Sequence, residues 1–129
     1  MEETVKEVPG LYGSLSVSEQ LVQKIWHRLD FETCGLRSTK GYAVRVLSPG
    51  KWNLAGEGPD FLGAEIEIDG ESISGDVEIH FNASAWRTHR HHEDPNFSHV
   101  ILHVVLFPPS NEEARNPDAT HRGYHPPML

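Results

Sequence analysis

The fold of this chain is decided by residues 61–80, whose sequence is FLGAEIEIDGESISGDVEIH. In the first half, apolar residues alternate with acidic ones, which is the period of a β-strand with one face turned toward a core. The Asp-Gly pair at 69–70 is a strong hairpin signal. In the second half, apolar residues alternate with Asp76, Glu78 and His80. We therefore predict an antiparallel strand pair whose second strand carries polar side chains on one face.

The segments on either side of this hairpin predict an α/β (or α+β) domain with one mixed sheet. A capping residue at Ser16 and an apolar stripe at steps of four predict an N-terminal helix over residues 17–30. A tight turn at 40–41 separates two further β-prone segments, which predicts another antiparallel hairpin. Residues 84–92 are expected to form a short helical crossover. It leads to a buried strand over residues 99–107, whose Val/Ile/Leu content is typical of a parallel or mixed sheet.

Length and composition predict a single domain. The chain has 129 residues, of which 37% are hydrophobic and 23% charged, an ordinary balance for a globular protein. We expect residues 1–15 to form an extended N-terminal arm and residues 16–109 to form one α/β domain. Residues 110–129 lack periodicity, so we expect an irregular tail or the truncated start of a further region.

The net charge and the single cysteine limit which binding partners and which cellular compartment we expect. A net charge of -8 weakens attraction to phosphate backbones, so a nucleic acid partner would need a basic patch or bridging metal ions, while a protein partner stays open. Cys34 cannot form an internal disulfide, and residues 1–10 lack the pattern of a signal peptide. No apolar run approaches the roughly 20 residues of a membrane span. We predict a cytoplasmic protein with no membrane partner, and the oligomeric state is left open.

The polar face of the second hairpin strand is the first candidate site. Asp76, Glu78 and His80 project to the same side, and Asp60 would approach the last two if the strands pair antiparallel. Carboxylates with one nitrogen suit Mg²⁺ or Mn²⁺, whereas additional imidazoles favour Zn²⁺ or Fe²⁺. A solvated strand face is the alternative interpretation of the same alternation.

A histidine-rich stretch forms the second candidate site. His89, His91 and Asp94 have spacings that can bind a transition metal, although a surface loop rich in histidine is an equally natural interpretation. His99 and His103 lie four residues apart within an apolar segment. We expect both to be buried and hydrogen-bonded.

Several short motifs stand in order along the chain. They are Asn53, Gly58-Pro59-Asp60-Phe61, Gly75-Asp-Val-Glu-Ile-His80, Trp86-x-x-His89, His92-x-Asp-Pro95 and Val100-Ile-Leu-His-Val-Val105. Together they resemble an uncharacterised bacterial family known as a domain of unknown function (DUF2851-like), from about the first helix to Val105. Two positions depart from the family pattern: Ala85 stands where aspartate is expected, and Arg90 where glycine is expected. The family's members are longer, which implies that this chain is a piece or a shortened relative.

A second resemblance is to the PD-(D/E)XK nuclease fold, in which an aspartate on one strand faces Glu-x-Lys on the next. Asp60 and Glu78-Ile-His80 would occupy those places, and the preceding helix would carry Glu19. This resemblance implies a Mg²⁺- or Mn²⁺-dependent phosphodiesterase or nuclease-like hydrolase with Asp60, Glu78 and His80 as catalytic residues. Histidine in place of lysine departs from that pattern. The alternatives are a non-catalytic interaction or scaffold domain with an Asp/Glu/His polar network, and a metal-binding module using His80, His89, His91 and Asp94.

Overall fold

The computed structural model describes residues 5–10, 13–31, 33–54 and 56–107. The strands are β1 (Val5–Gly10), β2 (Gly13–Ser18), β3 (Val44–Ser48), β4 (Lys51–Trp52), β5 (Phe61–Ile68), β6 (Glu71–His80) and β7 (Val100–Val105). The helices are α1 (Glu19–Arg28) and α2 (Ala85–Thr88), followed by 3-10 turns at His91–Glu93 and Pro95–Phe97. The predicted α/β class with a short helical crossover is confirmed.

The main sheet has five strands in the order β3-β5-β6-β7, with β4 also paired to β5. β5 and β6 are antiparallel, and β6 and β7 are parallel, so the sheet is mixed as predicted. The turn between β5 and β6 places Asp69 at φ 49 and Gly70 at φ 84. Positive φ at both central residues matches the twist of the flanking strands, which explains why the Asp-Gly pair forms the hairpin.

The N-terminal part differs from the prediction because β1 and β2 pair as a separate antiparallel hairpin. Ser18 ends β2 in an extended conformation and caps α1, with its Oγ accepting from the Leu21 backbone N–H at 3.1 Å. The predicted cap at Ser16 and the helix start at residue 17 are therefore wrong. Among the described helices, none combines the length and the apolar character needed to cross a membrane. Residues 110–129 lie outside the described part of the chain.

The main core lies between α1 and the sheet. It contains Trp26, Val44, Phe61, Ala64, Ile66, Val77, Ile79 and Leu102. A second apolar cluster of Trp86, Phe97 and Val100 includes residues from the crossover between β6 and β7. Consequently the end of β6 is buried on both faces: Glu78 is 4% exposed and His80 only 2%. The solvated-face interpretation is wrong for these two residues.

Close contact between β6 and β7 depends on Gly75. A Cβ atom added to this glycine would lie 2.4 Å from the Ile101 side chain and 2.6 Å from the His99 carbonyl oxygen. The same carbonyl accepts a hydrogen bond from Asp76 N at 2.8 Å, so the backbone there cannot move away freely. Gly75 therefore lets β7 lie beside the strand that carries Glu78 and His80.

We predict that Gly75→Ala lowers the free energy of unfolding by about 1–3 kcal/mol, because the added methyl group overpacks a backbone contact. Ser74→Ala, an exposed change on the same strand, should stay within about 0.5 kcal/mol. Urea denaturation measures both values. Equal stability of the glycine variant and the serine variant would contradict the role assigned to Gly75.

Candidate metal centre

Asp60 and Glu78 lie side by side where β5 begins and β6 ends. The antiparallel register pairs Phe61 with Val77, so the preceding and following residues become neighbours. The Asp60 backbone N–H donates to Glu78 Oε1 at 3.2 Å, and the Ile79 backbone N–H donates to Asp60 Oδ2 at 2.9 Å. The structure thus brings together the two carboxylates that the sequence analysis selected.

The backbone at Asp60 is held by the loop that precedes it. Asn53 Nδ2 donates to the carbonyl oxygens of Glu57 and Pro59 at 3.1 and 3.0 Å. The Asn53 backbone N–H also donates to the Asp60 carbonyl oxygen at 2.8 Å. Asn53 is therefore a positioning residue, and these contacts explain why it accompanies the Gly-Pro-Asp-Phe motif.

The Asp60 side chain is oriented by a glutamine that the sequence analysis missed. Gln23 Nε2 donates to Asp60 Oδ1 at 3.0 Å, and Trp52 Nε1 donates to Gln23 Oε1 at 3.0 Å. Because an indole N–H can only donate, it fixes which end of the amide faces Asp60. Glu19 and Gln23 stand four residues apart on α1, which places them on one helix face, and this spacing was the available signal.

The crossover between β6 and β7 brings His91 to the carboxylate pair, where His80 at the end of β6 also lies. His91 Nε2 lies 2.8 Å from Glu78 Oε2, and His80 Nε2 lies 3.4 Å from the same oxygen. Each of His80, His89 and His91 offers a ring nitrogen, and these nitrogens lie within 4.8 Å of one another. His80 and His91 are buried, whereas His89 is exposed. This group is able to hold a metal ion.

Aromatic packing and a hydrogen bond hold the buried imidazoles. The ring of Phe97 stacks on His91 with centroids 3.8 Å apart, and His80 stacks on the same histidine at 5.2 Å. His80 Nδ1 lies 2.8 Å from His103 Nε2, within a hydrogen bond that needs one proton between the two nitrogens. The Nε2 atom of His80 is thereby directed toward Glu78.

The expectation for the two histidines of the last strand is half right. His103 is fully buried and hydrogen-bonded, as predicted. His99 is exposed, so its predicted burial is wrong. β7 begins only at Val100, so His99 lies in the turn that precedes the strand and not within it. The burial expected for a strand residue therefore does not apply to His99.

Burial sets the protonation of the cluster. It raises the pKa of Asp60 to about 9, with the nearby charge of Glu78 adding to the effect. It raises the pKa of Glu78 to about 7 and lowers the pKa of His91 to about 4. Burial also lowers the pKa of His80. His80 and His91 are therefore neutral at pH 7, which is the form that binds metals.

The remaining candidates lie beside this cluster. Asp94 Oδ1 accepts from the Asn96 backbone N–H at 2.9 Å and caps the 3-10 turn that carries Phe97. Asp76 Oδ1 accepts from the Gly63 backbone N–H at 3.2 Å. Neither belongs to the three-histidine group. Metal binding by Asp94 stays a prediction.

The donor atoms of the cluster fit a divalent ion. His91 is buried, and among the described residues neither of its ring nitrogens has a hydrogen-bond partner. Its Nε2 atom is close to Glu78 Oε2, but the direction of approach does not satisfy hydrogen-bond geometry. Unsatisfied buried polar atoms are rare and call for an explanation such as a bound ion. A cation there would also offset the suppressed ionisation of Asp60 and Glu78.

We predict that the metal-free protein loses stability between pH 6.5 and pH 9. The unfolded chain releases the protons of Asp60 and Glu78 once the pH passes their ordinary pKa values of 3.8 and 4.5. The folded state keeps these protons until the pH passes the raised pKa values of about 9 and about 7. The lowered pKa values of His80 and His91 oppose this trend only below their ordinary value of 6.5. The free energy of unfolding should fall by roughly 1.4 kcal/mol per pH unit for each proton that only the folded state keeps.

Urea denaturation of the chelator-treated protein across this pH range measures the slope of the free energy of unfolding against pH. Asp60→Asn should remove most of it, while Glu71→Gln, a change at an exposed carboxylate, should leave it unchanged. A wild-type curve that is flat or rises with pH would show that the pair is ionised without a cation.

Comparison with known proteins identifies a family. A sequence model of the family described as "Protein of unknown function (DUF2851)" matches residues 19–114, more than half of the chain, which confirms the resemblance noted from the motifs. No curated protein and no solved structure gives a significant match. The chain belongs to the DUF2851 family of proteins of unknown function.

Proposed function

We propose that this domain is a cytoplasmic, divalent-metal-dependent hydrolase of phosphodiester bonds, similar to nucleases. The observation that carries the proposal is the meeting of Asp60 and Glu78 from two antiparallel strands, with His80 two residues farther along and directed at the same carboxylate. Glu19 of α1 is near enough to raise the pKa of Glu78 by its charge. The strand order, the helix and the two carboxylates are the features that support the proposal drawn from the PD-(D/E)XK resemblance.

In this proposal Asp60 and Glu78 hold the ion. Each Asp60 oxygen accepts one hydrogen bond, from Gln23 or from Ile79, and retains a second lone pair for a cation. When bound, a divalent ion supplies positive charge that polarises a phosphodiester and makes water a better nucleophile. Neutral His80 contributes a lone pair and not a fixed charge, which distinguishes it from the lysine of the related pattern.

The surface beside the site supports a phosphate-bearing substrate. Arg87, His89 and Arg90 are exposed on the crossover. Arg90 is paired with Glu93, its Nη2 atom lying 2.6 Å from Glu93 Oε2. Arg87 has no ion-pair partner among the described residues, so it can contact a phosphate. This exposed guanidinium offers a phosphate one positive contact on a chain whose net charge is -8.

A non-catalytic scaffold is the second candidate, and one observation favours it. The reciprocal bonds from Asp60 N to Glu78 and from Ile79 N to Asp60 tie β5 to β6. A network of this kind can specify a unique core without any reaction. The scaffold interpretation, however, leaves the ring nitrogens of His91 without a hydrogen-bond partner among the described residues.

We predict that the purified protein cleaves single- or double-stranded DNA or RNA when Mg²⁺ or Mn²⁺ is added. Glu78→Gln should lower kcat/KM by at least about 100-fold, because it removes a charge that holds the ion. Glu65→Gln, at an exposed carboxylate on β5, is the matched control and should retain full activity. Gel-based cleavage with end-labelled substrates measures the rates.

Two results would contradict the hydrolase proposal. One is the absence of metal-stimulated cleavage of every nucleic acid tested by folded wild-type protein. The other is equal cleavage by wild type and Glu78→Gln, which would point to a contaminating nuclease. If Glu78→Gln is also destabilised, Asp60→Asn provides the second variant, since Asp60 is less buried than Glu78.

A further inference from the structure

We propose that His80, His89 and His91, together with Glu78 Oε2, form a nitrogen-rich site for one transition metal ion such as Zn²⁺. This site lies beside the position assigned to the ion of Asp60. It shares Glu78 and His80 with the proposed hydrolase site, but it does not depend on hydrolysis. Imidazole ligands favour Zn²⁺ over Mg²⁺, whereas oxygen ligands favour Mg²⁺.

The geometry brings the donors toward one point. Ring nitrogens of the three histidines lie within 4.8 Å of one another. Glu78 Oε2 lies 2.8 Å from His91 Nε2 and 3.4 Å from His80 Nε2. Ligands of a tetrahedral zinc ion lie about 2.0–2.2 Å from the metal, so neighbouring ligand atoms are separated by roughly 3–4 Å. The 3.4 Å separation lies within this range, and the 2.8 Å separation and the 4.8 Å limit lie just outside it.

The ring nitrogens of His91 support the metal site independently of these distances. Its side chain is 10% exposed, and neither ring nitrogen has a hydrogen-bond partner among the described residues. Leaving a buried polar group unpaired lowers the stability of the folded state. Stacking on Phe97 at 3.8 Å fixes the plane of this imidazole, so the cost is not avoided by turning the ring toward water. A bound cation would satisfy one of these two ring nitrogens.

The hydrogen bond to His103 prepares His80 for ligation. A metal-binding histidine usually donates its other ring N–H to a fixed acceptor, which sets the tautomer and directs the free lone pair at the ion. His80 Nδ1 is 2.8 Å from His103 Nε2, which leaves Nε2 to face Glu78. His103 is therefore a positioning residue for this site.

The exposed third histidine gives the site access to solvent. His89 ends α2, and its ring lies 5.2 Å from that of His80 and 5.5 Å from that of His91. An ion held there places positive charge beside Asp60 and Glu78, where the lysine of the PD-(D/E)XK pattern would otherwise provide it. The site thus accounts for histidine at position 80.

The test measures metal binding rather than activity. Chelator-treated protein is titrated with Zn²⁺ by calorimetry and with Co²⁺ by visible absorption, and we expect about one Zn²⁺ per chain and the intense bands of tetrahedral Co²⁺. His89→Ala, which changes an exposed residue and so preserves the fold, should weaken Zn²⁺ binding by at least about 100-fold, because even groups that merely support ligands contribute about 10–100-fold. His99→Ala removes an exposed histidine outside the group and should bind as wild type does.

Failure of this inference differs from failure of the hydrolase proposal. Equal Zn²⁺ affinity of wild type and His89→Ala, or equal weakening by His99→Ala, would overturn the histidine site even if Glu78→Gln abolished cleavage. Weak Co²⁺ bands typical of six oxygen ligands would do the same. Conversely, tight Zn²⁺ binding that is lost in His89→Ala supports the site even when no nucleic acid is cleaved.

Discussion

The burial of the Glu78 carboxylate is the constraint on which the site depends. A carboxylate that is 4% exposed must be neutralised, hydrogen-bonded or bound to a cation, because an unpaired charge in the interior is very costly. Its two oxygens face different neighbours: Oε1 accepts from the Asp60 backbone, and Oε2 lies beside His80 and His91. Glu78 thus joins the carboxylate pair to the imidazoles within a single polar cluster.

The fold creates this constraint by covering both faces of β6. Parallel pairing with β7 requires a crossover, and here residues 81–99 form it and pack Trp86 and Phe97 beside the end of β6. The same crossover returns His89 and His91 to the sheet. Close approach of the two strands depends on the missing side chain of Gly75. Fold and site therefore have the same origin, since the segment that buries Glu78 also supplies His91 beside it.

Local sequence patterns predicted much of the fold and the carboxylate pair. The Asp-Gly turn and strict alternation determine the β5–β6 hairpin, and antiparallel pairing then makes Asp60 and Glu78 neighbours. Alternation alone could not decide whether the polar face of β6 is solvated, because the covering crossover is a tertiary feature. The role of Gln23 was missed for the same reason, since its contact with Asp60 joins positions 37 residues apart. The burial of His99 was predicted wrongly because β7 begins one residue later, at Val100, and the apolar pattern does not fix that boundary.

The central claim is that Glu78 and the imidazoles beside it hold a divalent cation. Anomalous X-ray diffraction from crystals grown with Zn²⁺ or Mn²⁺ tests it most directly, because the anomalous signal locates the ion itself. The account predicts a peak about 2.0–2.6 Å from Glu78 Oε2, with a nitrogen of His80 or His91 in the same coordination sphere for Zn²⁺. Peaks confined to surface side chains, with Glu78 hydrogen-bonded only to protein groups, would contradict it.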